Sequence, residues 1–194
     1  YVEDQRSKNV APRTNGLTNS HKVVDLEEAI RRSGLQNGMT ISFHHHFRAG
    51  DKVVNMVVDK LAEMGYKDLH LASSSLIDVH EPLIEHIRNG VITRISTSGL
   101  RGKLAAEISR GLMKEPVVFR SHGSRGSAIA NGELHIDVAF LGASSSDPMG
   151  NACGYSRSPN AKSICGSIGY ALPDAQYADK VVILTDDLVP YPNR

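Results

Sequence analysis

The chain has 194 residues, 22 Lys and Arg against 21 Asp and Glu, and a formal net charge of +1. Hydrophobic residues make up 40% and charged residues 22%, a globular balance on the scale of one ordinary domain rather than a disordered chain. The charge balance argues against a nucleic-acid binder, no apolar run is long enough to span a bilayer, and 2 Cys exclude a disulfide framework and make a reducing cytoplasm the default.

Residues 1–22 are polar and carry no apolar period, so they read as a flexible N-terminal arm ahead of a domain over 23–194. There is no initiator Met and no basic-then-apolar leader, so the chain reads as part of a longer one. Leu26, Ala29 and Ile30 mark one side of a short helix, and Asn37-Gly38 marks a turn before an apolar strand over 39–43. Asp51 suits an N-cap, and Val53, Val54, Val57, Val58, Leu61 and Met64 follow at helical spacing up to Gly65. A strand over 69–72 comes next, then a helix over 82–88 and a strand over 91–96. Leu100, Leu104, Ile108 and Leu112 stand four apart and predict a helix closed by Pro116. Strands over 117–120, 136–141 and 180–185 complete the series, with the Gly-rich stretch 122–126 read as a turn between strands. The alternation predicts an α/β fold, a mainly parallel sheet with helices on both faces. In such sheets, sites form in loops beyond the carboxyl ends of the strands.

The unusual residues collect in those loops. His44, His45, His46, Arg48 and Gly50 join the first strand to its helix, where free backbone N–H groups favour an anion. Consecutive histidines point in alternating directions and no nearby Cys or carboxylate completes a ligand set, so no metal site is expected there. Ser73-Ser74-Ser75 ends the second strand, and reads equally as a cleft wall or as a Ser-rich cap. Ser98, Gly99, Arg101 and Gly102 repeat the logic of the first loop: glycines, a hydroxyl and a guanidinium at a helix start suit a phosphate or carboxylate. The stretch 140–156, with Ser146, Gly150 and Asn151, is a donor-rich loop that reads as a binding loop or as a structural excursion. Cys153 and Cys165 are spaced too widely for a zinc knuckle and read as ordinary thiols. Neither a P-loop nor a dinucleotide fingerprint is present.

Several long stretches go further: LEEAIRRSGLQNGMTISFHHHFRAGD, KDLHLASSSL, ITRISTSGLRGKLAAEISRGL, GELHIDVAFLGASSSDPMGNACGY and VVILTDDLVPYP. Together they span most of the chain beyond residue 25 and resemble the α subunit of bacterial citrate lyase. That resemblance implies the fold shared by CoA transferases, ribose-phosphate isomerase and glucosamine-phosphate deaminase. It implies a transferase that exchanges acetyl for citryl on the thiol of an acyl carrier protein, in a cytoplasmic assembly for citrate fermentation. The implied partners are the citrate lyase β subunit and the carrier (γ) subunit, with an oligomeric assembly and neither nucleic acid nor membrane. No tightly bound cofactor is implied; the CoA-like arm of the carrier, acetyl-CoA or citryl-CoA enters as substrate. Related CoA transferases use a Glu from the second half of the fold, a half expected beyond this chain. The catalytic residue is therefore left unassigned, and Glu81, Glu107 and Glu133 read as surface carboxylates. Two other readings stay open: a non-catalytic fragment that holds the CoA arm or an assembly partner, and a sugar-phosphate isomerase of the same fold.

Overall fold

In the computed structural model, residues 22–44, 47, 50–156, 165 and 171–193 are described. The arm over 1–22, except Lys22, and the candidates His45, His46 and Arg48 lie outside them.

The main strands and helices follow the chain as expected; a 3-10 turn, a small strand pair and two helices were not expected. Helix α1 (Leu26–Ser33) starts at Asp25, whose carboxylate accepts from Glu28 N at 2.8 Å, and stops at Gly34, which takes a left-handed φ of 72°. Strand β1 (Thr40–Phe43) and helix α2 (Val53–Glu63) come next. The N-cap of α2 is Lys52 and not Asp51, which stands one residue earlier and accepts from Val53 N through Oδ1 at 2.9 Å. Strand β2 (Leu69–Ser73), a 3-10 turn (Asp78–His80), helix α3 (Leu83–Arg88), strand β3 (Ile92–Thr97) and helix α4 (Gly102–Ser109) continue the alternation. Helix α4 is shorter than its leucine spacing predicts. It ends before Gly111, whose φ is 95°, and not at Pro116.

The first unexpected helix lies in the Gly-rich stretch after β4 (Val118–Phe119). That stretch is not a turn but a helix, α5 (His122–Ala130), capped by Ser121 accepting from Ser124 N at 3.2 Å. Two Gly and two Ser give it poor intrinsic propensity. Burial of Arg125, Ala128 and Ile129 overrides that preference. The second is helix α6 (Ala171–Tyr177), for which no apolar period gives a signal. Between them lie β5 (Val138–Gly142) and a small antiparallel pair, β6 (Ser145–Ser146) and β7 (Ala152–Cys153); β8 (Lys180–Leu184) follows α6.

Six parallel strands form one sheet in the order β4-β3-β2-β1-β5-β8. The strand residues alternate between two cores. Ile41, Phe43, Leu69, Leu71, Val138 and Phe140 pack with residues of α1 to α4 on one face. Ala72, Ala139 and Leu141 pack with Ala128 and Ile129 of α5 on the other, beside Ala178 just after α6. Phe43 and Phe140 stack across the first core with ring centroids 5.5 Å apart. The chain runs outward from β1 to β4 with helices on one face, then returns to the other side of β1 through α5. The order therefore reverses between β1 and β5, a topological switch point whose crevice opens at the carboxyl ends of those two strands.

Candidate functional site at the β1–β5 switch point

Ser42 sits in register with Ala72 on one side and Ala139 on the other. Two small neighbours leave room above the sheet, and Arg125 of α5 fills it. His44 lies two residues beyond Ser42, hence on the same face by strand alternation. Asp174 of α6 completes the group. Arg125 donates through Nη1 to Asp174 Oδ2 at 3.0 Å, and through Nη2 to Asp174 Oδ1 at 3.2 Å and Ser42 Oγ at 2.7 Å. Ser42 Oγ donates to Asp174 Oδ1. His44 Nε2 stands 3.1 Å from Asp174 Oδ2. All four side chains are buried, Arg125 at 2% exposure and Asp174 at 0%.

Burial alone pushes the Asp174 carboxyl up. The hydrogen bond to His44 and the Arg125 charge outweigh it and hold the group down, at about 2. Asp174 is therefore a carboxylate at neutral pH, its charge balanced by the Arg125 guanidinium in a bidentate pair. Removing one partner from such a buried pair costs ~3–5 kcal/mol, because the other charge is left in low dielectric.

Asp51 occupies the start of α2 on the same carboxyl side. Burial raises its carboxyl to about 6, against the lowering effect of the Val53 N–H. Its Oδ2 has no hydrogen-bond partner among the described residues. Phe47 and Val53, on the way from β1 into α2, pack on β5. A Cβ on Gly142 would fall 2.6 Å from Phe47 Cε2, so this close approach needs glycine. A Cβ on Gly50, in the connection itself, would meet open space.

Ser73 ends β2, and Ser98 follows the last residue of β3. Their loops are stitched together beyond the strands, Ser74 N donating to Phe43 O at 3.3 Å and Ser98 N to Ser74 O at 3.1 Å. Ser73 Oγ donates to Ser75 O at 3.3 Å, and Ser98 Oγ is buried without a partner among the described residues. Gly99 packs against Ser75, whose Oγ would lie 3.1 Å from a Cβ. Arg101 is exposed at the start of α4. Gly102 has a φ of 66°, and a Cβ on it would fall 1.9 Å from Asp78 Oδ1. The chain's own carboxylate thus stands at the helix start that the sequence reading left for an anion.

Ser146, Gly150 and Asn151 form a tight turn around Asp147. Asp147 Oδ1 accepts from Met149 N and Asn151 N, and Oδ2 from Asn151 Nδ2 at 2.8 Å and Asn193 N at 2.9 Å. Gly150 N donates to Asp147 O, and Ser146 Oγ to the same carbonyl at 3.3 Å. These donors are spent within the loop. Burial raises the Asp147 carboxyl, yet those donors prevail and lower it on balance.

Glu81, Glu107 and Glu133 pair with Lys103, Arg110 and Arg120 at the surface. A concavity of about 690 Å³ lies at the opposite, amino end of the sheet, lined by Glu27, Arg31, Lys60, Glu63 and Tyr66. Its charges satisfy one another, Arg31 with Glu27 and Lys60 with Glu63. His135, Asp137 and Asp179 also meet at that end, half or more exposed except Asp137, and bond to each other.

Fold and site define a class: a doubly wound α/β domain whose polar machinery gathers at the strand-order reversal. A family model for citrate lyase, alpha subunit (CitF), matches residues 20–194, and the chain belongs to that family. It is 67% identical over 173 residues to the citrate lyase alpha chain of Klebsiella pneumoniae, covering 89% of this chain and 33% of the relative. It is 56% identical over 198 residues to that of Haemophilus influenzae, covering all of this chain and 39% of the relative. The chain thus spans about a third of the length of these relatives. A crystal structure described as the putative α subunit of citrate lyase in complex with citrate, from Streptococcus mutans, superposes with a TM-score of 0.84 at 59% identity, covering 89% of this chain and 33% of that one. A variant of the decarboxylase AibA/AibB shares the fold at a TM-score of 0.56 and 18% identity, over 88% of this chain and 76% of that one.

The sequence singled out His44 but missed its three partners. Ser42 is an unremarkable strand residue, Arg125 was hidden in a stretch that looks like a turn, and Asp174 stands in a helix without apolar period. The readable signal for Ser42 was a hydroxyl at a core position of a central parallel strand, where apolar residues are the rule.

Proposed function

We propose that the full-length protein exchanges acetyl for citryl on the thiol of an acyl carrier protein, as the α subunit of a citrate lyase complex. The observation that carries this reading is the 59% identity to a structure described in complex with citrate, over a region whose buried polar cluster stands at the switch point. In the reaction, a carboxylate oxygen attacks the acetyl thioester carbonyl, and the C–S bond breaks to give an anhydride and the carrier thiolate. The thiolate then attacks the citryl carbonyl, and the acetyl group leaves as acetate. These steps hold where citrate attacks directly. Where a protein Glu attacks first, the carrier thiolate displaces acetate from the acetyl-Glu anhydride, and citrate displaces the thiolate from the Glu thioester so formed. The thiolate then takes the citryl group from the citryl-Glu anhydride and frees the Glu. No proton is gained or lost overall.

The chain's own task is recognition and electrostatics. Oxyanions formed at each thioester need preorganised donors, and a tricarboxylate needs cations. Arg125 is engaged by Asp174, whereas Arg101 at the start of α4 and Lys52 at the start of α2 are exposed cations on these loops. The CoA-like arm of the carrier, or a free CoA ester, is the thiol substrate. The β subunit and carrier subunit are the partners, in an oligomeric cytoplasmic complex. A second reading follows from the chain's one-third coverage of its relatives: taken alone, these residues bind the arm without turnover.

The test is citrate-dependent release of acetate from acetyl carrier by the full-length protein, with Arg101→Ala and His44→Gln compared. Each variant is expected to lose at least about tenfold in kcat/KM, the loss of ~1.4 kcal/mol of transition-state binding. Wild-type rates and citrate affinity in both variants would remove the switch-point assignment. Turnover by the 194-residue chain alone would remove the second reading.

A further inference from the structure

Resting on the transfer reading above, we propose that Asp174 is a positioning residue for His44. Held by Arg125 and Ser42, it fixes the orientation of the imidazole and the proton on its Nε2 at the carboxyl end of β1. Three separate parts of the chain converge to build this arrangement: β1 supplies Ser42 and leads into His44, α5 supplies Arg125 and α6 supplies Asp174. A purely structural solution at this place would be apolar, because a buried ion pair rarely outperforms well-packed hydrophobic side chains. The neighbours show how little bulk is needed, Ala72 and Ala139 flanking Ser42 in register.

The chemistry of the quartet assigns roles. Asp174 accepts from Arg125 on both oxygens and from Ser42 on Oδ1, which leaves Oδ2 to face His44 Nε2 at 3.1 Å. Asp174 and Arg125 together carry no net charge. An imidazole with a proton on Nε2 turns that proton toward Oδ2, and in the neutral Nε2–H tautomer Nδ1 is the acceptor. Arg125 and Ser42 keep the carboxylate from rotating, so the ring that leans on it is fixed too. A histidine oriented by a buried carboxylate is a general device for presenting one ring nitrogen in a known state. Here the ring lies where β1 ends, next to the strand-order reversal.

The experiment uses the full-length chain with its carrier and compares Asp174→Asn, His44→Gln and the two combined. Arg125→Met with Asp174→Asn is added as a neutral pair that keeps the fold if the single Asn variant leaves Arg125 unbalanced. A displaced reacting group costs up to ~100-fold. Accordingly, Asp174→Asn and the neutral pair are expected to lose roughly 10–100-fold in kcat, with the KM for citrate changed less than about threefold. The combination of His44→Gln with Asp174→Asn is expected to lose no more than the worse single variant, since both remove one function. Losses that multiply, or a folded Asp174→Asn or neutral pair with wild-type kcat, would overturn the proposal.

Nitrogen-15 spectra of the histidine rings give a readout independent of turnover. In the wild type, His44 is expected as the Nε2-protonated tautomer, and in Asp174→Asn as a mixture. If the wild type makes no citryl carrier, the transfer reading fails and the ring spectra alone judge the positioning. An unchanged His44 tautomer in Asp174→Asn overturns it.

Discussion

Asp51 shows how burial and hydrogen bonding compete at one atom group. Its carboxyl accepts from Val53 N at the start of α2 and is fully buried, and burial lifts it from the ordinary 3.8 to about 6. The folded state therefore binds this proton more tightly than the unfolded chain. The associated stability is fully present below about pH 4 and is lost as the pH rises through about 6, a span of ~2–3 kcal/mol. Asp51→Asn keeps the acceptor for Val53 N and removes the titration. The difference in unfolding free energy between wild type and variant, measured in urea from about pH 4 to about pH 7.5, is expected to shift against the wild type as pH rises. Parallel curves would show that Asp51 titrates alike in both states. His70 responds the other way. Burial, with the Arg94 and Arg120 charges, lowers it to about 4, so its contribution is present above about 6.5 and lost on acidification. His44 could be picked from the sequence because three histidines after an apolar strand are conspicuous. Asp174 could not, because a single Asp in ALPDAQY looks the same whether it faces solvent or a buried guanidinium.

At the scale of elements, the six strands of the main sheet were readable because each is a short apolar run bounded by turn residues, and α1 to α3 because their apolar positions recur on one face; β6 and β7, Ser-Ser and Ala-Cys, carry no such run. Helix α5 was not, since Gly and Ser favour turns locally and only its docking against β1 and β5 makes it helical. The connection from β1 to α2 follows its strand as expected, but the glycine that admits Phe47 is in β5. Gly142→Ala is expected to destabilise the fold by ~1–3 kcal/mol, because the added methyl meets the Phe47 ring and Val53 at 2.6 and 3.2 Å. Gly50→Ala is expected to change stability by less than about 0.5 kcal/mol. Urea midpoints check both. Equal midpoints would mean that Phe47 does not pack on β5 as described.

For the whole molecule, the decisive property is topology. Alternating strands and helices specify α/β, but the order β4-β3-β2-β1-β5-β8 depends on which face each crossover covers, and that is a matter of long-range packing. Once that order is known, the position of the site follows: His44, the connection into α2 and the turn around Asp147 all belong to the two strands that flank the reversal. No helix among the described residues is long and apolar enough to cross a membrane. The concavity at the amino end, though roomy, is bounded by charges that already pair. The central claim is therefore one of place, and a crystal structure of the full-length chain with a bound CoA thioester tests it most directly. The account predicts the thioester at the carboxyl ends of β1 and β5, in contact with the loop that begins at His44. A thioester seated in the amino-end concavity, with the switch point empty, would contradict it.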